Sequence, residues 1–216
     1  FRRKVDSSTW RKFWDGCNVL GSFLPALLFG VAFANIFMGI PLNAEHINQG
    51  NLLTLLNPYG LAGGVLFVLL FSLHGGLWLA VKAQGDIEQR AAAWSHRMWY
   101  AVLFMVVAFL ILSLVQTNLL ANYLSNPLLL FVLVLIVFGL VQIKAYLLRD
   151  AYGKAWASSA VSIVGITLFG VLGLFPRLLP STIDPAFSMT IANSASSPLT
   201  LKIMLGVALI FVPLVI

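Results

Sequence analysis

The sequence predicts an all-α integral membrane protein: a single transmembrane helical domain over residues 1–216, a bundle of about six spans. Three observations carry that prediction. Hydrophobic residues make up 60% of the chain and charged residues only 9%, with a mean hydropathy of +0.96, whereas a soluble domain carries about 25% charged residues. Apolar runs long enough to cross a bilayer recur at approximately 14–39, 58–82, 95–119, 127–149, 152–175 and 198–216. The basic residues collect at alternate ends of these runs: Arg2, Arg3, Lys4, Arg11 and Lys12, then Lys82, Arg90 and Arg97, then Lys144, Arg149 and Lys154, against Arg177 and Lys202 at the other ends. Eleven against two, in strict alternation, places the Phe1 end in the cytoplasm. The net charge of +6 therefore reads as an orientation signal and excludes a nucleic-acid groove.

Each span has its own signature. Trp10, Phe13 and Trp14 form an interfacial aromatic group before the first span, which Pro25 should bend. Ser22, Ala26, Gly30 and Ala34 fall at steps of four and make a small-residue stripe, expected to hold a partner chain or another helix. Residues 40–57 form an outer loop without Lys or Arg, and Pro58 opens the second span. Residues 83–94 are polar and of mixed charge, which predicts an inner loop with a short surface helix. A tight outer turn is expected at Leu120–Asn126. The fourth span is nearly featureless leucine and valine, the composition of a lipid-facing helix, whereas the fifth offers Ser158, Ser159, Ser162, Gly165, Gly170 and Gly173 for helix contacts.

The stretch from Phe175 to Met204 contains Pro176, Pro180, Pro185 and Pro198 among many serines, threonines and asparagines, and is expected to leave helical geometry and pack on protein at the membrane surface. The last span restarts at Ser197-Pro198. The chain begins inside a basic segment and stops within an apolar run, as a piece of a longer protein would.

Chemistry-bearing residues are sparse. Cys17 is alone, so no internal disulfide or cysteine metal cluster can form. There is no metal-protease motif, phosphate loop or nucleophile elbow. His46 falls in an outer loop, His74 inside a span and His96 near the inner surface. Only His74 lies at a depth where a haem could be ligated. An intramembrane histidine is a functional candidate, and its alternative is a neutral ring hydrogen-bonded to a neighbouring helix or to a partner subunit. Asp15, near the interface, reads as a solvated or capped carboxylate. No catalytic, cofactor-binding or metal-binding residue is assigned.

Two long segments carry a resemblance. FRRKVDSSTWRKFWDG followed by GSFLPALLFGVAFANIFMGIPL is similar to the central part of subunit II of the cytochrome bd-type quinol oxidases. FPRLLPSTIDPAFSMTIANSASSPLTLKIM is similar to the late loop and last helix of the same family, with FPRLLPST matching a phenylalanine-proline, methionine-or-leucine-proline-serine motif and SASSPLTL a serine-rich helix start. Between them lies the phrase LLNPYGLAGG. One departure is Ala192-Asn193, where the family pattern has tryptophan-aspartate.

The resemblance implies the haem-free second subunit of a bacterial or archaeal cytoplasmic-membrane oxidase that couples quinol oxidation to reduction of oxygen to water. It places haems b and d and the quinol-oxidising loop in a partner, subunit I. This chain would then provide scaffold and part of the proton and quinone environment, with room for a bound quinone or lipid and for small single-helix accessory subunits. Proton-path residues known near the start of the family's subunit II would precede Phe1. The rival readings are a secondary transporter, which lacks the expected pair of interrupted helices, and a membrane assembly or anchoring protein.

Overall fold

The computed structural model describes residue 2 and residues 4–215; Phe1, Arg3 and Ile216, which belong to the predicted basic leader and last span, lie outside the described residues. Helix α1 (Ser8–Met38) begins earlier than the predicted 14–39 because Ser7 caps it, accepting from the Trp10 backbone N–H at 3.4 Å. The aromatic group is thereby helical: Trp10, Phe13 and Trp14 sit at i, i+3 and i+4, with ring centroids 5.7–6.4 Å apart. At 31 residues α1 is about 46 Å long, more than the roughly 30 Å bilayer core needs, so its first turns belong to the interface.

After a short α2 (Leu52–Leu55), α3 (Pro58–Lys82) has the predicted bounds. Asn57 caps it by accepting from Gly60 N at 2.7 Å, and Pro58 fills the first turn, where its missing N–H has no cost. The predicted inner loop at 83–94 is corrected. Only residues 83–85 leave the helix, turning at Gly85 (φ 68°), and α4 (Asp86–Gln116) is continuous from there. Asp86 and Glu88 complement the positive end of the helix dipole, and Ala91 and Ala92 bury against Ala80 and Tyr152. The polar composition marked the surface of a helix here, not a loop.

The tight turn expected at Leu120–Asn126 is a further short helix, α5 (Leu120–Ser125). A single 3-10 turn (Pro127–Leu129) leads into α6 (Leu130–Leu147), and α7 (Tyr152–Leu174) follows a turn in which Asp150 has φ 53°. Strands β1 (Arg177–Leu179) and β2 (Met189–Thr190) pair antiparallel, α8 (Ile191–Ser194) is one turn with a Thr190–Asn193 capping box, and α9 (Pro198–Val215) closes the chain with none of its residues buried. Among the described residues, six helices are long and apolar enough to cross a membrane. The fold is all-α and membrane-embedded in class, with β1 and β2 its one paired ribbon among the described residues.

Helix α3 is the centre of the bundle, packing on α1, α4 and α7, while α6 packs on α7. Leu66, Leu70, Leu73 and Leu77 of α3 join Val102, Val106 and Phe109 of α4 and Ile136, Leu140 and Phe169 of α6 and α7 in one core. Close approach comes from small residues. A Cβ added to Gly139 of α6 would stand 2.3 Å from Ser162 Oγ, and one on Gly165 of α7 would stand 2.8 Å from Ile136. The lipid-facing expectation for the fourth span therefore holds for one side only. Phe131, Val134, Val137, Phe138 and Val141 are exposed, whereas Val132, Ile136, Gly139, Leu140, Ile143 and Leu147 are buried. A helix apolar on every side gives no moment from which to read its inner face.

Two ends can be distinguished. At the basic end gather Lys82, residues 83–90, Lys144 and residues 149–154. At the loop end, residues 39–57 meet the 175–197 segment: Ile40 N donates to Pro180 O (3.1 Å), Thr182 N to Ile40 O (3.0 Å), and Ser181 Oγ to Leu42 O (2.9 Å). The proline-rich stretch does pack on protein, as expected, through defined backbone pairing.

Candidate functional site

The three histidines lie apart, each with a partner within this chain. His46 Nδ1 is 2.9 Å from Phe187 O, tying the 40–57 loop to the late segment. His96 Nδ1 is 3.4 Å from Lys144 Nζ at the basic end, where the same ammonium lies over the Tyr100 and Trp99 rings at 4.4 and 5.4 Å. His74, inside the bundle, is 2.7 Å from Ser159 Oγ of α7, and its ring lies 5.3 Å from Trp156. The Ser159 hydroxyl also lies 2.6 Å from Trp156 O, so ring and carbonyl share one hydroxyl group. Among the described residues, no three His, Cys, Asp or Glu side chains gather as metal ligands would.

The polar groups that organise the interior were not singled out by the sequence. Asn35 is 4% exposed within α1; its Nδ2 donates to Val31 O (2.7 Å) and Leu55 O (2.8 Å), and its Oδ1 accepts from Asn57 Nδ2 (2.7 Å). Buried Tyr59 donates to Ser113 Oγ (2.7 Å), which itself donates to Phe109 O (2.8 Å), with the Tyr59 and Phe109 rings stacked at 4.9 Å. These bonds satisfy groups that would otherwise be stranded in hydrocarbon. The available signal was an asparagine inside the apolar run AFANIF, which calls for a partner on a neighbouring helix.

At the loop end, Asn122 Nδ2 donates to Leu172 O (3.1 Å), Gly173 O (3.0 Å) and Phe175 O, closing the C-terminus of α7. Tyr123 OH donates to Phe169 O at 2.8 Å, and burial pushes that phenol up to about 12. Near the start, Asp15 accepts from Arg2 Nε at 2.6 Å with both side chains half exposed. The carboxylate is thus a paired surface group, and such pairs contribute little to stability.

The stripe on α1 divides. Gly30 and Ala34 are buried against Gly63 and Gly64 of α3, so this half meets a helix of the same chain. Ser22 and Ala26 instead line an open groove with Val68 and Ser72, where α1 and α3 part toward the basic end.

Comparison with known proteins accounts for the whole chain. The family model described as cytochrome bd terminal oxidase subunit II matches residues 1–216. Cytochrome bd ubiquinol oxidase subunit 2 of Bacillus subtilis is 31% identical over 216 residues, covering 100% of this chain and 63% of that one. The probable cytochrome oxidase subunit 2 of Haemophilus influenzae is 30% identical over 98% of this chain and 64% of its own length. Cytochrome bd-I ubiquinol oxidase subunit 2 of Escherichia coli K12 is 28% identical over 100% of this chain and 65% of its own. The chain thus spans just under two thirds of the length of these relatives, and it belongs to the cytochrome bd terminal oxidase subunit II family.

Proposed function

We propose that this chain is part of the second, haem-free subunit of a quinol oxidase that reduces oxygen to water, and that it scaffolds a haem-bearing partner. The observation that carries the reading is the family match over all 216 residues, together with relatives named as oxidase subunits. Two structural features support the haem-free part. His46, His74 and His96 are dispersed, and each is engaged within its own chain. The buried polar groups Asn35, Tyr59 and Tyr123 bond to backbone carbonyls or to neutral side chains of adjacent segments, the arrangement of a scaffold rather than a redox site. Helices α1, α3, α4, α6 and α7 run unbroken through their spans, which gives the transporter reading no midplane site.

We further infer that the basic end faces the cytoplasm, from the eleven-to-two distribution of Lys and Arg. In this arrangement protons reach the partner's oxygen site from the basic end. The full-length subunit should purify with its partner as an assembly that consumes oxygen when given a quinol. An assembly containing the intact subunit but showing no quinol-dependent oxygen uptake would refute the oxidase reading.

A further inference from the structure

The loop end holds an open cavity of about 280 Å³ that the scaffold role does not use. Phe37 at the end of α1 and Leu174 at the end of α7 give it an apolar wall, and Gln116, Asn118, Arg177 and Thr182 give it a polar one. Arg177 is the one charged residue among those lining it, and it is partly buried. Its backbone is fixed by pairing of β1 with β2 opposite Thr190. Its guanidinium forms no ion pair or hydrogen bond with the described residues. Gln116, Asn118 and Thr182 are exposed at the cavity mouth, with side chains not hydrogen-bonded to other described residues, whereas the neighbouring hydroxyls of Thr117 and Ser181 are already engaged, with Ser113 O and Leu42 O.

A guanidinium offers a planar fork of donors suited to an oxyanion, and neutral amides line the same partly apolar pocket. Leaving a cation partly desolvated and unpaired is costly, so an anionic ligand is the natural complement. The pocket lies at the ends of α1, α4 and α7, three helices long and apolar enough to cross a membrane, so a bilayer around them would bring its headgroups to this end. We propose that this pocket binds a phosphate group, with Arg177 as the charged donor and the Gln116 and Asn118 amides as neutral ones. The phosphate comes either from an anionic phospholipid, whose chains run along the apolar wall, or from free phosphate.

The test uses the full-length subunit in its native complex, delipidated and held in phosphate-free detergent buffer. Thermal midpoints are read during titration with sodium phosphate at constant ionic strength, and separately with dihexanoyl-phosphatidylglycerol below its micellar concentration. At least one probe should raise the midpoint saturably. Arg177→Gln should weaken that response about tenfold or more, while Lys202→Gln, at the other cation of this end, should keep it. A response to the lipid alone identifies a headgroup site, and a response to inorganic phosphate identifies a site that phosphate fills unaided. No saturable shift with either probe, an unchanged response in Arg177→Gln, or an equal loss in Lys202→Gln overturns the proposal. If Arg177→Gln fails to assemble, Asn118→Leu is read the same way: a weakened response supports the site and an unchanged one overturns it.

Discussion

Gly30 of α1 and Gly63 of α3 touch backbone to backbone: a Cβ placed on Gly30 would lie 2.4 Å from the Gly63 carbonyl oxygen, and one on Gly63 would lie 2.5 Å from the Ala34 Cβ. In lipid, where apolar side chains gain little by leaving one kind of hydrocarbon for another, this proximity is what holds two helices together. The obstacle is backbone, which cannot rotate away. Gly30→Leu and Gly63→Leu should therefore each cost about 1–3 kcal/mol or more, read as a lower thermal midpoint and reduced recovery of the full-length subunit. Unchanged stability in both would show that the contact is incidental.

Helix α6 supplies the matched control. Val137→Phe lies on its exposed side and should be nearly silent, whereas Gly139→Leu drives a side chain into Ser162 of α7 and should destabilise strongly. Equal effects of the two substitutions would contradict the assignment of its faces. Leu133 and Leu135, plausible lipid-facing choices from sequence, are partly buried and unsuitable for this comparison.

The difference between α1 and α6 shows how far the sequence could be read. Charge alternation, apolar run length and a proline at a helix start fixed the second span to the residue, because each is a local signal. Polar residues 86–94 misled, since a helix that emerges into the interface and a loop have similar composition. The inner face of α6 and the partners of Asn35 depend on neighbours distant in sequence, for which no periodicity exists to read. The His74 ring was legible as a candidate, but its bond to Ser159 was legible only in three dimensions.

Asn35→Leu removes a node that joins α1 to the 51–57 segment: Leu55 O loses its side-chain donor, and Asn57 Nδ2 is left with Thr54 O alone. A loss of about 1–3 kcal/mol is expected, because a stranded buried polar group carries its full desolvation cost. Asn57→Leu, which also removes the cap of α3, should be at least as damaging. Thermal unfolding of the two single variants and the double variant checks this: coupling between them supports the node, and strict additivity contradicts it.

Tyr123 gives a pH dependence. Its folded-state value of about 12 lies above the usual phenol value near 10, so the folded protein holds this proton more tightly than the unfolded chain. The associated stability is fully present below pH 10 and is lost as pH rises from 10 toward 12. Tyr123→Phe should remove that part of the alkaline loss, at the expense of the bond to Phe169 O. An alkaline profile identical in wild type and variant would show that Tyr123 is not held neutral by the fold.

Orientation can be read by labelling in a Cys17→Ser background. Single cysteines at Asn48 and Ala186, both exposed at the loop end, should react with an impermeant reagent from outside, and one at Gln89 should react only from inside. Ser188 is unsuitable, being 2% exposed and bonded to Ser181 N. Reaction of the Gln89 position from outside would invert the topology.

The most direct test of the haem-free scaffold reading is where haem goes when the purified assembly is taken apart. The full-length subunit should co-purify with haem absorbance, and all of it should remain with the partner chain once the two are separated. Substituting His46, His74 or His96 with alanine, singly, should leave every haem band at normal intensity in the assembled complex. Loss of one band in the His74→Ala assembly at normal subunit levels, or haem retained by the isolated subunit, would contradict the account.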